Sequence, residues 1–360
     1  MGILIFIFIL SILVLVHEFG HFFAAKKSGV KVEEFGLGFP PRLFSFKWGE
    51  TVYSINLLPF GGFVKVFGEE YHEEDKKNKK LYKKLRERAF IYKKPWQKAI
   101  IIIAGVIGNI LLAWVLLSFL ATQGIQIPTN QVKIEQVQEN SPAQEVGLKA
   151  GEIIKKIKIE DQEIVVTSPE ELIKISNENP GEVLLLTVTD SKSIERDVAI
   201  TSRSKPPKNE GPLGISISAS ETKKYSILEA PLIGINLTIS YLGAILIGFG
   251  QLFKSLLTFQ KPAFDVAGPV GIAQFTGQAL QFGYLALVEF AAVLSLNLAV
   301  LNIIPFPALD GGRLSFVIYE WITNKRINKN FERSTNAIGM LILLSLIVII
   351  TVNDIIRIFR

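Results

Sequence analysis

The sequence predicts a polytopic α-helical membrane protein with four transmembrane helices and one inserted extracytoplasmic module, and three observations carry that expectation. Hydrophobic residues make up 49% of the 360 residues. They gather into runs long enough to cross a bilayer, about 20 residues each, at roughly 2–25, 99–122, 284–304 and 337–353. The net charge of +6 collects between these runs, and residues from about 126 to 220 contain no comparable run. A further apolar stretch, 228–257, is interrupted by Gly234, Gly243, Gly248 and Gly250 and reads as interfacial, re-entrant or tilted.

The first run is apolar from Gly2 to Val16 except for Ser11 and continues through His17-Glu18-Phe19-Gly20-His21. A secretion signal carries its positive charge ahead of the apolar run, whereas Lys26 and Lys27 follow this one. Basic residues favour the cytoplasmic side, so the first helix runs from outside to inside. At 1.5 Å per residue, His17 lies roughly 20–25 Å into a hydrocarbon core about 30 Å thick. Two imidazoles four residues apart on a helix share a face and can reach one metal ion, while Glu18 is displaced around the helix. Such a short string arises by chance in soluble helices. At bilayer depth, ionisable groups are expensive and usually functional, and two of the three histidines in the chain are spent here. The pattern points to a zinc hydrolase.

Catalytic zinc takes three protein ligands and leaves one position for water. Asp310 is the expected third ligand, placed after the proline-broken segment Asn302-Ile303-Ile304-Pro305-Phe306-Pro307 and followed by Gly311 and Gly312. An Asp-Gly turn at a helix end is the plainer alternative. Parity decides between them: if 228–257 does not cross, Asp310 arrives at the cytoplasmic end, level with His17 and His21. Charge agrees, because eleven lysines and arginines between Lys76 and Lys98, and Lys325, Arg326, Lys329 and Arg333, mark two loops expected on the cytoplasmic side. No stacking aromatics interleave with these bases, so nucleic acid is not an expected partner. Both termini and the module are then extracytoplasmic. The absence of cysteine removes disulfides, thiolate metal sites and cysteine catalysis. His72 sits in the acidic run Glu69–Asp75, which reads as a solvated loop.

These motifs resemble the site-2 protease family of intramembrane zinc metalloproteases, in its bacterial PDZ-containing branch, over nearly the whole length. The resemblance rests on His17–His21, on Asn302 through Pro305 and Pro307 to Asp310-Gly311, and on Leu58-Pro59-Phe60-Gly61-Gly62-Phe63-Val64-Lys65. Ala104-Gly105 with Asn109 and Gly268-Pro269-Val270-Gly271 add to it, although Val106 stands where the family often has proline. It implies a bound Zn2+ held by His17, His21 and Asp310, with Glu18 as general base. It also implies cleavage of single-span substrates within the bacterial inner membrane, such as anti-sigma factors or signal-peptide remnants. Residues 32–67 are expected to form a membrane-associated β-sheet. The alternation of Thr51–Leu57 and the aromatics Phe35, Phe39, Phe44, Phe46 and Trp48 agree. Gly61, Gly62 and Phe63 on its edge, with Asn302 and Pro305, are expected to hold an unwound substrate; Asn302 is equally suited to helix–helix contact.

The module 126–220 reads as a single PDZ domain from Ser141-Pro142-Ala143 and Gly147–Ile154. Ser168–Asn179 is its expected flanking helix, and Gly211, Leu213 and Gly214 form its expected carboxylate-binding loop. Peptide capture and exclusion of bulky ectodomains both remain open for it. The expected division is therefore 1–123, with the first two spans and the sheet; 126–220; an interfacial or re-entrant segment, 221–283; and a second membrane half, 284–360. A non-catalytic PDZ scaffold has no use for Glu18 beside two ligand histidines. A zinc transporter needs a polar path that the second and fourth spans lack.

Overall fold

A computed structural model describes residues 2–69, 86–159, 162–190, 193–207, 210–258, 260 and 267–358. His72 with most of its acidic run, and the lysines from Lys76 to Lys84, lie outside the described residues, as do the side chains of Pro59 and Phe60. The chain divides into two compact units, one of residues 1–122 with 226–360 and the other Gln123–Tyr225.

In the first unit, helix α1 (Gly2–Lys27) ends on Lys26 and Lys27, cations placed where the helix dipole favours them. Helix α2 (Pro95–Gln123) runs antiparallel to it, with Gly20 against Ala104 and Gly108 against Val16. After three further helices, α5 (Ala230–Leu257), α6 (Pro269–Gln281) and α7 (Tyr284–Ile303), come α8 (Asp310–Thr323) and α9 (Lys329–Ile358). Numbers α3 and α4 belong to the second unit.

Among the described residues, five helices are long and apolar enough to cross a membrane, where the sequence predicts four: Gly2–Lys27, Pro95–Gln123, Ala230–Ser255, Tyr284–Ile303 and Asn330–Ile358. The addition is α5. Its four glycines do not interrupt it: 230–257 forms one continuous helix. Glycine weakens a helix by only about 1 kcal/mol against alanine, and in lipid every broken backbone hydrogen bond costs more than that. Pro231, the sole proline of α5, sits in its first turn, where no backbone donor is lost.

Between α1 and α2, strands β1 (Val32–Trp48) and β2 (Thr51–Val66) fold back on themselves. Gly36 pairs with both Ser54 and Phe63, while Phe46 pairs with Tyr53, so the hairpin makes four ribbons in the order 42–48, 51–56, 34–37 and 62–65. The last ribbon, carrying Gly62 and Phe63, is an edge. Phe39, Phe44, Phe46 and Trp48 are exposed. At the hairpin tip, Glu50 accepts from Arg88 (2.6 Å) and Lys26 (2.9 Å), and these bonds hold its carboxyl down at about 2.

The second unit is a sheet in the order β7-β6-β4-β3-β8, with β5 paired to β4. Its strands are β3 (Ile125–Val137), β4 (Ile153–Ile159), β5 (Gln162–Val165), β6 (Val183–Thr189), β7 (Glu195–Thr201) and β8 (Ile215–Lys223). Short helices α3 (Pro142–Glu145) and α4 (Pro169–Glu178) are capped by Ser141 and Ser168, each accepting from a backbone N–H three residues on. Alternate residues of β6 turn inward, and Leu184, Leu186 and Val188 meet Ile134, Ile154, Ile157 and Leu172 in one apolar core.

Candidate metal centre

Helix periodicity puts His17 and His21 on the face of α1 that meets α2. His17 Nε2 and His21 Nε2 are 3.1 Å apart, and Asp310 Oδ2 lies 3.0 Å from the first and 3.1 Å from the second. His21 Nδ1 donates to the carbonyl of Ile101 at 2.8 Å. A carbonyl only accepts, so in neutral His21 the proton sits on Nδ1 and the Nε2 lone pair points into the triangle. Lone pairs and a carboxylate converging this closely suit a cation. Tetrahedral zinc at about 2.0–2.1 Å from each ligand spaces them about 3.3 Å apart, close to the observed triangle. The donor set fits zinc.

Asp310 reaches this point because α7 stops. Pro305 ends the helix, and Ile304 before it is extended (ψ 135°), as a residue preceding proline prefers. The chain then turns through Ala308, which adopts a left-handed φ of 73°. Ala308 N–H donates to Asn336 Oδ1 of α9 at 3.3 Å. Immediately after Asp310 the first turn of α8 lies on the end of α7: a Cβ at Gly311 would stand 2.1 Å from the Ile304 carbonyl oxygen. The same constraint applies across the site at Gly105, where a Cβ would stand 2.3 Å from His21 Nε2. One turn beyond Asp310, Arg313 donates to Glu69 at 2.6 Å, and the Glu69 carboxylate holds its guanidinium above the ordinary range.

A cavity of about 240 Å³ opens beside the triangle, lined among others by Glu18, Gly61, Gly62, Asn109, Asn302 and Asp310. Asn302 Nδ2 is 3.4 Å from His17 Nε2. Phe63 and Pro305 do not line the cavity: the Phe63 ring lies over Gly36, and Pro305 is exposed at the end of α7. In the second unit, Gly211, Leu213 and Gly214 border a groove of about 400 Å³ against Leu172, Ile173 and Ser176 of α4. The Leu213 side chain is buried and belongs to the apolar core of the unit. Gly105 and Asn109 of the second-span motif stand against these histidines, a placement that spacing along one helix does not reveal.

Several long apolar helices, with two imidazoles and a carboxylate converging beside a cavity that a glutamate lines, define the class of membrane-embedded metallohydrolases. The chain matches the model of Peptidase family M50 over residues 5–346. It is 34% identical over 356 residues to a protein of Clostridium acetobutylicum named as a zinc metalloprotease, covering 99% of this chain and 97% of that protein. It is 32% identical over 426 aligned positions to the regulator of sigma-W protease RasP of Bacillus subtilis, covering 98% of each. The zinc metalloprotease RasP of Shouchella clausii is 30% identical over 433 positions, covering 99% of each. The chain belongs to the M50 family: it is a multi-pass membrane protein and a zinc metalloprotease of the site-2 type.

Proposed function

We propose that this protein cuts single-span membrane proteins inside the bilayer, with His17, His21 and Asp310 as zinc ligands and Glu18 as the general base. The observation that carries the reading is the triangle of donor atoms, 3.0–3.1 Å on a side, joining residues nearly three hundred positions apart. Held by these three residues, zinc would supply Lewis acidity, lowering the pKa of water toward ~7 and polarising the scissile carbonyl. Glu18, on the cavity wall, takes the proton of the attacking water and delivers it to the leaving nitrogen. A helical substrate hides its peptide bonds and must be held extended. The edge ribbon at Gly62, directly beside the Glu18 side chain, offers backbone for strand addition, and Asn302 offers an amide to the same segment. The exposed aromatics of 39–48 suit a membrane interface.

Four crossings with the active site near the cytoplasmic face remain our reading of the topology. Helix α5 starts against Trp114 and Ser118, near the end of α2. The chain resumes at Gly268 and Gly271, whose N–H groups are held by Asp354 near the end of α9, and Gly277 meets Gly2. Because α1 and α2 are antiparallel, these points share one end of the bundle, which supports a reading in which α5 and α6 both begin on the same side of the membrane. The basic loops then lie in the cytoplasm, and 126–220 and both termini lie outside. We read 126–220 as a PDZ domain. Strand β8 ends the sheet order, and its outer side together with α4 frames the groove, an arrangement suited to capture of a peptide C-terminus. Anti-sigma factors and signal-peptide remnants are the substrate classes proposed, the first in keeping with the name of the Bacillus relative.

Zinc content and cleavage of a model transmembrane peptide by the detergent-purified chain test the centre. His17→Ala and Asp310→Asn should each lose both, and stoichiometric zinc in Asp310→Asn would remove it as a ligand. Since the chain has no cysteine, single cysteines at Ser226, Gln260 and Thr323 read sidedness by impermeant labelling. Ser226 should label from outside and Thr323 from inside. Labelling of Gln260 from inside would mean that α5 crosses. Deleting 126–220 should weaken cleavage; new cleavage of untrimmed substrates would instead make the module a size filter.

A further inference from the structure

The two imidazoles are not held alike. His21 Nδ1 has a carbonyl opposite it, but His17 Nδ1 faces the side-chain amide of Asn109, with Nδ2 at 3.4 Å. Asn109 is fully buried, and its Oδ1 has no hydrogen-bond partner among the described residues. Its backbone carbonyl is fixed by the Ser295 hydroxyl of α7 at 2.8 Å, so the residue is anchored from two helices. His17 Nε2 points at Asp310 Oδ2. If Nε2 is to give its lone pair to a metal, the single proton of the neutral ring belongs on Nδ1, and Nδ1–H needs an acceptor. An amide nitrogen cannot accept. A half-turn of the amide, which leaves its shape unchanged, sets Oδ1 opposite Nδ1.

We infer that Asn109 is a positioning residue: its side-chain oxygen accepts from the Nδ1–H of His17 and locks the tautomer that presents Nε2 to zinc. The inference rests on the ligand set proposed above. Helix α2 then supplies the orienting acceptor for both histidines, Ile101 O for one and Asn109 Oδ1 for the other. The two acceptors lie eight residues apart, a little over two helical turns, on the face of α2 turned toward α1. The ligands themselves lie one turn apart on α1. Of the two acceptors, Asn109 is the one a side-chain substitution can remove. Outer partners of ligand histidines commonly set metal affinity as well as geometry.

The test uses the full chain in detergent, labelled with 15N-histidine and titrated with zinc. With three histidines in the chain, and His72→Gln removing the one outside the site, the nitrogens of His17 and His21 can be followed individually. Zinc should shift Nε2 of His17 and leave a proton on Nδ1 that exchanges slowly with solvent. In Asn109→Leu that protection should vanish and the zinc Kd, measured by chelator competition, should weaken by about 10–100-fold. Asn109→Asp keeps an acceptor and should restore zinc affinity. An unprotonated Nδ1 in the zinc-loaded wild type overturns the inference, as does Asn109→Asp losing as much affinity as Asn109→Leu. Should Asn109→Leu fail to fold, the wild-type spectrum alone decides. No zinc-induced shift at His17 at all would instead fault the ligand set, a distinguishable failure.

Discussion

In the unit Gln123–Tyr225 the side chains of Ile134, Ile154, Ile157, Leu184, Leu186 and Ile200 are wholly buried against one another. In the helical unit, Leu4, Phe8, Leu232, Leu341 and Ile349 stand exposed on the outside of their helices, while His17, Lys98, Asn109, Ser295 and Asp354 are buried within it. One unit places its oil inside and nearly all its charge outside, as a protein folded in water does. The other leaves its apolar surface to lipid and ties its helices together with polar contacts, among them Lys98 to Glu320 at 2.9 Å and Asp354 to the α6 N-terminus. Lipid tails are as apolar as leucine, so apolar burial alone cannot join helices there. Small residues and hydrogen bonds do it instead, and two of these residues, Gly105 and Asn109, also stand against the candidate metal centre.

That contrast can be broken or sharpened by substitution. The largest expected effect is on chemistry alone: Glu18→Gln should slow peptide cleavage by about 10²–10⁴-fold with zinc content unchanged, read by initial rates and metal analysis on the same sample. Full activity in that variant would remove Glu18 as the base. Next, Gly105→Ala pushes a methyl group onto His21 Nε2 and should lower both zinc occupancy and thermal stability of the helical unit. Amide exchange in the β-rich unit should stay unchanged, and zinc bound as in the wild type would show that the helices can part at no cost.

Leu186→Ala should do the reverse. Its side chain is fully buried, so the β-rich unit should lose about 2–5 kcal/mol, seen as faster amide exchange, with zinc affinity untouched. The smallest effect concerns the hairpin tip. Because the Glu50 carboxyl falls from 4.5 to about 2 in the folded chain, its ion pairs stabilise above the unfolded value and are lost as pH falls through the folded one. The difference in melting temperature between wild type and Glu50→Gln should therefore be full at neutral pH and shrink progressively below about pH 4.5. A difference independent of pH would mean that Glu50 acts by packing rather than charge.

Along the chain, legibility followed the range of the interaction. The helical pairing of His17 with His21, the apolar runs and the proline break before Asp310 are local, and each can be read within a few residues of sequence. The continuity of α5 was not legible, because four glycines interrupt its apolar run while each weakens a helix by only about 1 kcal/mol. The double pairing of residues 34–37 was beyond reach, since alternation reveals a strand but not which two neighbours it takes.

By itself the sequence marked which groups could carry the proposed chemistry, because residue type and helical spacing decide what can share a face of α1. Only the tertiary structure decided that Asp310 meets them and that Asn109 stands behind His17. Those meetings depend on how closely three helices approach, and that closeness is set by single missing methyl groups at Gly105 and Gly311, whose necessity appears only once the neighbouring backbone is in place.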